Sequence, residues 1–228
     1  MDRNQRGFTL VEIAIVLVII GLLLGGVLKG QEMITNAKVR NLADQASGIK
    51  AAFFAFQDRY KALPGDYRVA DANIAGVPAT FNGNGNGQIQ NGNERGRVWL
   101  HLAAAGFITG NYDGGGVSGT NNGWNCVATR CPPNAFGGNM NLGFGSEAAG
   151  TSGQSHELWT GRNIPVAAIA ELDRKIDDGV PGTGIFQNGQ SANANPGTCV
   201  AGGAWAVTSA DPRAVAAGST DSSNRSQG

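Results

Sequence analysis

The sequence has no surplus of charge: 17 Lys and Arg balance 17 Asp and Glu across 228 residues. A balanced chain has no electrostatic footprint for a polyanion, so no nucleic-acid partner is expected. Proline is absent before Pro64, so nothing upstream has to break a helix. Catalytic signatures are missing as well: there is no G-x-S-x-G, H-E-x-x-H, P-loop or C-x-x-C, and no enzyme is expected. Cysteine is scarce, with Cys126, Cys131 and Cys199 only. The C-x4-C spacing and the lack of clustered His argue against a zinc site. Lys and Arg do not occur between Phe8 and Leu28.

That stretch, free of basic residues, is the most informative part of the chain. A leader, Met1 to Gly7, carries Arg3 and Arg6 and runs directly into a largely apolar stretch of 21 residues, Phe8 to Leu28. At about 1.5 Å per residue they form roughly 31 Å of helix, enough to cross a hydrocarbon core of about 30 Å. The basic leader places the N-terminus on the cytoplasmic side and the remainder across the membrane. A secretory signal peptide has a shorter apolar core and a small-residue cleavage site, and no A-x-A follows here. Glu12 interrupts the run. A carboxylate in a spanning segment costs about 2.5–3.5 kcal/mol at the bilayer centre, so packing alone does not account for it. It suits a segment that waits in a membrane and later meets a positive partner.

The helix is expected to continue past the membrane. Leu42, Ala46, Ile49, Phe53, Phe56 and Tyr60 recur in steps of four and three, a regular helical stripe. One helix from Phe8 to about Tyr60 would be roughly 80 Å long. Its stripe reads as packing that holds a head. Leu63-Pro64-Gly65-Asp66 then breaks the helix. Beyond it the composition shifts: 30 of the 36 glycines follow residue 60, together with much Asn, Ser and Thr. That is a loop-rich head of one core, residues 61–215. Arg95 to Ala105 and Pro165 to Ile176 read as helices, with Gly106 just past the first and Pro165 in the first turn of the second. Met140–Phe144, Thr183–Gln187 and Thr198–Thr208 are strand candidates. Residues 216–228 hold little that is apolar and read as a disordered tail.

Gly7-Phe8-Thr9-Leu10-Val11-Glu12 resembles the processing motif of type IV prepilins and type II secretion pseudopilins. Lys29-Gly30-Gln31-Glu32-Met33-Ile34, Ala62-Leu63-Pro64-Gly65-Asp66 and Ile176-Asp177-Asp178-Gly179 resemble segments of proteobacterial prepilin-like proteins. The resemblance implies an α+β, pilin-like fold, with a long N-terminal helix packed on a loop-rich antiparallel β-sheet head. It implies cleavage by a prepilin peptidase between Gly7 and Phe8, N-methylation of Phe8, and pairing of Glu12 with the Phe8 amine of a neighbouring subunit. The implied partners are that peptidase, like or related pilin subunits, an inner-membrane assembly platform with a separate ATPase, and lipid before assembly. The implied location is the inner membrane, single-pass with the head periplasmic, then a pilus, pseudopilus or cell surface. Many major pilins carry a proline about twenty residues into the mature helix. Here Gly25, Gly26, Lys29 and Gly30 stand in that neighbourhood, which tilts the reading towards a minor or unusual subunit. The competing reading is a monomeric membrane-anchored module whose head binds calcium, sugar or protein.

Three further features bear on ligands. Asn82, Asn84 and Asn86 follow the spacing of a calcium loop, but the first acid is missing, the last ligand position falls on Asn93 with Glu94 one residue late, and a metal-free Asn/Gly turn is the better reading. Glu171, Asp173, Asp177 and Asp178 could hold calcium at a helix end; pairing of a solvated face with Arg174 and Lys175 is preferred. No cofactor is therefore expected, with calcium the one candidate. Among the cysteines, one disulfide and one thiol is the simplest outcome, and all three pairings stay open. Pilins often carry a disulfide to a C-terminal cysteine, which would here involve Cys199. His101 reads as packed beside its helix's apolar face. His156-Glu157 reads as part of a Ser/Gly loop.

Overall fold

The computed structural model describes residues 9–90, 92–117, 126–145, 154–189, 200–201, 203–205 and 218–221. The chain divides into two units, Met1–Lys38 and Val39–Gly228. The first helix, α1 (Leu10–Tyr60), contributes to both. Within the first unit its apolar side chains are exposed all round, and the apolar window of the helix has no share buried. Within the second unit the same helix buries Val39, Leu42, Ala46, Ile49, Ala52, Phe53 and Phe56, the expected stripe with two additions. Tyr60 is half-buried against the same core. The helix closes at Lys61, whose φ is 51° and whose N–H returns to the Gln57 carbonyl at 2.8 Å.

The head is α+β and pilin-like, as expected. Phe56 is fully buried and gathers Tyr60, His101, Phe107 and Tyr67, with ring centroids at 4.6, 6.2, 6.1 and 6.3 Å. After a short helix α2 (Ala70–Asn73) and a 3-10 turn (Ala79–Phe81), α3 (Gly92–Ala104) supplies Val98, Trp99, His101 and Leu102 to the core. It ends in a Schellman closure. Phe107 N–H bonds the Leu102 carbonyl and Gly106 N–H the Ala103 carbonyl, with Gly106 at φ 79°. The fourth helix, α4 (Val166–Ile176), follows Pro165 and buries Val166, Ile169 and Leu172 as its periodicity predicts.

The main sheet has the order β1-β2-β6-β3, antiparallel throughout: β1 (Asn141–Gly145), β2 (Ser155–Trp159), β6 (Gly218–Asp221) and β3 (Phe186–Asn188). A separate ladder joins β4 (Val200–Ala201) to β5 (Ala204–Trp205).

Several expectations need correction. His156 and Glu157 stand in β2, opposite Phe144 and Gly143, and not in a loop. Polar residues hid that strand, yet Glu157 is fully buried there. The strand expected from Thr183 starts at Phe186, because Thr183 closes a turn onto the Val180 carbonyl. The single strand expected over Thr198–Thr208 is two short ones about Gly203, whose φ is 80°. Part of the expected disordered tail, Gly218–Asp221, pairs on both sides as β6. A strand flanked by two others satisfies its backbone groups without apolar side chains, so composition did not reveal it.

Candidate functional site

The N-terminal helix begins with a hydrogen-bonded device. Thr9 precedes the first helical residue and Glu12 is the third helical residue. Thr9 N–H donates to Glu12 Oε2 at 2.8 Å, and the Glu12 N–H donates to Thr9 Oγ1 at 3.3 Å. The Thr9 hydroxyl donates to Oε2 at 2.8 Å as well. This is a reciprocal capping box, and its signal, Thr-x-x-Glu, is readable in Thr9-Leu10-Val11-Glu12. The sequence reading assigned Glu12 to assembly and missed Thr9 as its holder. Among the described residues no cation pairs with Glu12. Its carboxylate thus stands at the head of an apolar helix, oriented by neutral donors only. Gly7 and Phe8, the expected processing site, lie outside the described residues.

Residues 2–28 match the family model of the prokaryotic N-terminal methylation motif. The chain is type IV prepilin-like. The motif points to a pilin- or pseudopilin-type precursor and to a structural protein rather than an enzyme. It implies processing by prepilin peptidase and assembly with other pilin subunits. Together with the long apolar helix α1 it fits anchoring in a membrane before assembly. No curated protein and no solved structure matches the chain.

In this prepilin-like chain the Asn/Gly loop has a centre of its own, the Asp66 carboxylate. Asp66 is 4% exposed. Its Oδ1 accepts N–H groups of Gly85 and Asn86 at 2.6 and 3.1 Å, and its Oδ2 that of Gly87 at 2.7 Å. The amide oxygens proposed as calcium ligands face backbone donors: Asn82 Oδ1 the Asp71 N–H, Asn84 Oδ1 the Asn86 N–H, and Asn86 Oδ1 the Gln88 N–H. Glu94 is buried and accepts from the Gln90 N–H at 3.2 Å. Successive N–H groups in such a loop form a concavity for an anion. The signal for Asp66 was available: a run of glycines presents donors, and an acid follows Pro64-Gly65.

His101 is fully buried, as expected of a packed residue. Gly65 N–H donates to its Nδ1 at 2.9 Å, so the ring proton sits on Nε2, which donates to the Phe81 carbonyl at 2.9 Å. Burial lowers its pKa to about 4, with Arg97 adding to the shift and Phe81 opposing it. Burial also lowers the pKa of His156, against the charge of Asp66. Trp159 Nε1 donates to Glu157 Oε2 at 3.1 Å, and Arg95 lies over the Trp159 ring at 5.0 Å. The stacking of Arg95, on α3, over Trp159, on β2, holds the sheet to that helix.

Cys126 and Cys131 are joined by a disulfide, with Cα atoms 5.8 Å apart. It staples the turn ahead of Pro132-Pro133. Cys199 lies outside the described residues.

Proposed function

We propose that this chain is a structural subunit of a type IV pilus or type II secretion pseudopilus. It is cleaved after Gly7, methylated at Phe8 and polymerised through α1. The observation that carries this reading is the placement of Glu12. A single carboxylate, oriented by Thr9 and lacking a cation among the described residues, opens a helix whose apolar surface has no cover within its own unit. In a bundle of such helices the amine of a neighbour's Phe8 neutralises Glu12. The attraction is strong at low dielectric, and the cost of leaving either group alone sets the register. The apolar surface that first faces lipid then faces other subunits.

The Cys126–Cys131 disulfide supports a head exported to an oxidising compartment. The test is Glu12→Ala, read as membrane insertion and as the fraction of subunit in sheared or secreted filaments. Insertion should be unchanged and filament incorporation should fall at least tenfold. Incorporation at the wild-type level would remove the Phe8–Glu12 pair from the account.

A further inference from the structure

The C-terminus of α4 ends in a group of carboxylates that the filament role does not use. Asp173, Asp177 and Asp178 each present an oxygen within 4.8 Å of the other two. Two ligands on one calcium ion, bonded at about 2.3–2.6 Å, are at most roughly 5 Å apart. The expected pairing of this face with the adjacent cations does not account for the group. Lys175 binds Glu171 at 2.5 Å, and Arg174 Nε donates to the Ala170 carbonyl at 2.9 Å. Neither forms an ion pair with the three aspartates among the described residues.

A second observation points inward. Asp173 is not on a solvated face; it is 0% exposed. Its Oδ2 accepts from the Trp205 indole at 2.7 Å, while Oδ1 has no hydrogen-bond partner among the described residues. A buried carboxylate oxygen left in that state costs free energy unless something positive meets it. The other two acids are held by the following loop. Phe186 N–H reaches Asp177 Oδ2 at 2.8 Å, Val180 N–H reaches Asp178 Oδ1 at 2.8 Å, and the Thr183 hydroxyl reaches Asp178 Oδ2 at 2.5 Å. Gly184, at φ 75°, passes so close that a Cβ there would collide with the Asp177 carboxylate.

We propose that Asp173, Asp177 and Asp178 form a calcium site at the C-terminus of α4. An all-oxygen, irregular set of three carboxylates suits calcium, which accepts flexible geometry, better than magnesium, which demands an octahedron. The negative end of the helix dipole adds to the attraction. Asp177 and Asp178 place two further negative charges beside the buried Asp173 carboxylate, and the three repel one another. That repulsion is what a bound cation would relieve. The site would fasten the loop after α4 to the helix and to Trp205, and it stands whether or not the chain assembles into filaments.

The experiment is a terbium titration of the full chain in detergent micelles after treatment with chelator. Terbium substitutes for calcium and emits when a nearby tryptophan is excited, and Trp205 bonds Asp173 directly. Saturable emission is expected, displaced by calcium but not by equal magnesium. Asp178→Asn keeps an acceptor for the Val180 N–H and lies at an exposed position, so its fold should persist. It should weaken terbium binding at least tenfold and abolish a calcium-dependent rise in Tm seen for the wild type. Asp58→Asn, at an exposed pair with Lys61, should change neither. No saturable emission, equal displacement by magnesium, or wild-type binding by Asp178→Asn would overturn the proposal.

Discussion

The two units use apolar residues in opposite ways. Between Leu10 and Lys38 the helix exposes them: Leu22 is 74% exposed. Between Val39 and Tyr60 the same helix hides them: Leu42 is 1% exposed and Phe56 is 0%. One secondary structure thus carries two energetic roles. The second unit owes its stability to burial within the chain. The first cannot, because nothing in its own unit covers it, and it must find lipid or other helices. Charge follows the same division. Glu12 is exposed and meets only the neutral donors of Thr9, whereas Asp66 is buried and surrounded by three N–H groups.

The division is broken most severely at Asp66. Asp66→Ala removes the acceptor for three backbone donors, each hydrogen bond to a charge being worth about 1.5–3 kcal/mol. The head should lose about 4 kcal/mol or more in denaturant unfolding, with membrane insertion unchanged.

A sharper contrast uses one substitution at two sites. Leu42→Ala should destabilise the head by about 2–5 kcal/mol, as deletion of a packed core side chain does. Leu22→Ala should leave the unfolding midpoint of the head where it was. A shared effect on the head would erase the distinction between the units.

Acid should act on the head through His101. Its pKa in the folded chain, about 4, lies below the ordinary value of 6.5. The folded state therefore favours the neutral ring. The associated stability is fully present above about pH 6.5 and is lost as pH falls towards 4. It amounts to about 3 kcal/mol. His101→Gln should flatten that limb of the stability–pH curve measured by urea unfolding.

The smallest expected effect is at Thr9. Thr9→Ala removes the cap and should cost about 1 kcal/mol of helix stability at the N-terminus. Amide exchange over residues 10–14 should quicken while the head is unchanged.

Much of this contrast is legible in the residues themselves. The spacing from Leu42 to Tyr60 and the apolar run to Leu28 are both periodic or continuous signals, and both give the helix they predict. Gly106 and Pro165 mark helix ends by backbone geometry that few other residues match. What escaped reading depends on contacts distant in sequence. The strand holding His156 and Glu157 is polar because distant residues meet it: the Ile89 N–H donates to His156 Nε2 and Arg95 lies over the Trp159 ring. The Asn/Gly loop looks like a set of ligands until Asp66 is placed at its centre. Asp173 reads as a surface acid on a charged helix until Trp205 closes over it. The Cys126–Cys131 pair could not be chosen over the two alternatives from spacing alone.

The central claim is that the first unit is built to be processed and then to assemble. Its most direct test is the intact mass and N-terminal peptide of the chain taken from its native membrane. The account predicts a mature chain that starts at N-methylated Phe8. A chain that still starts at Met1, or one cut after the apolar run, would contradict it.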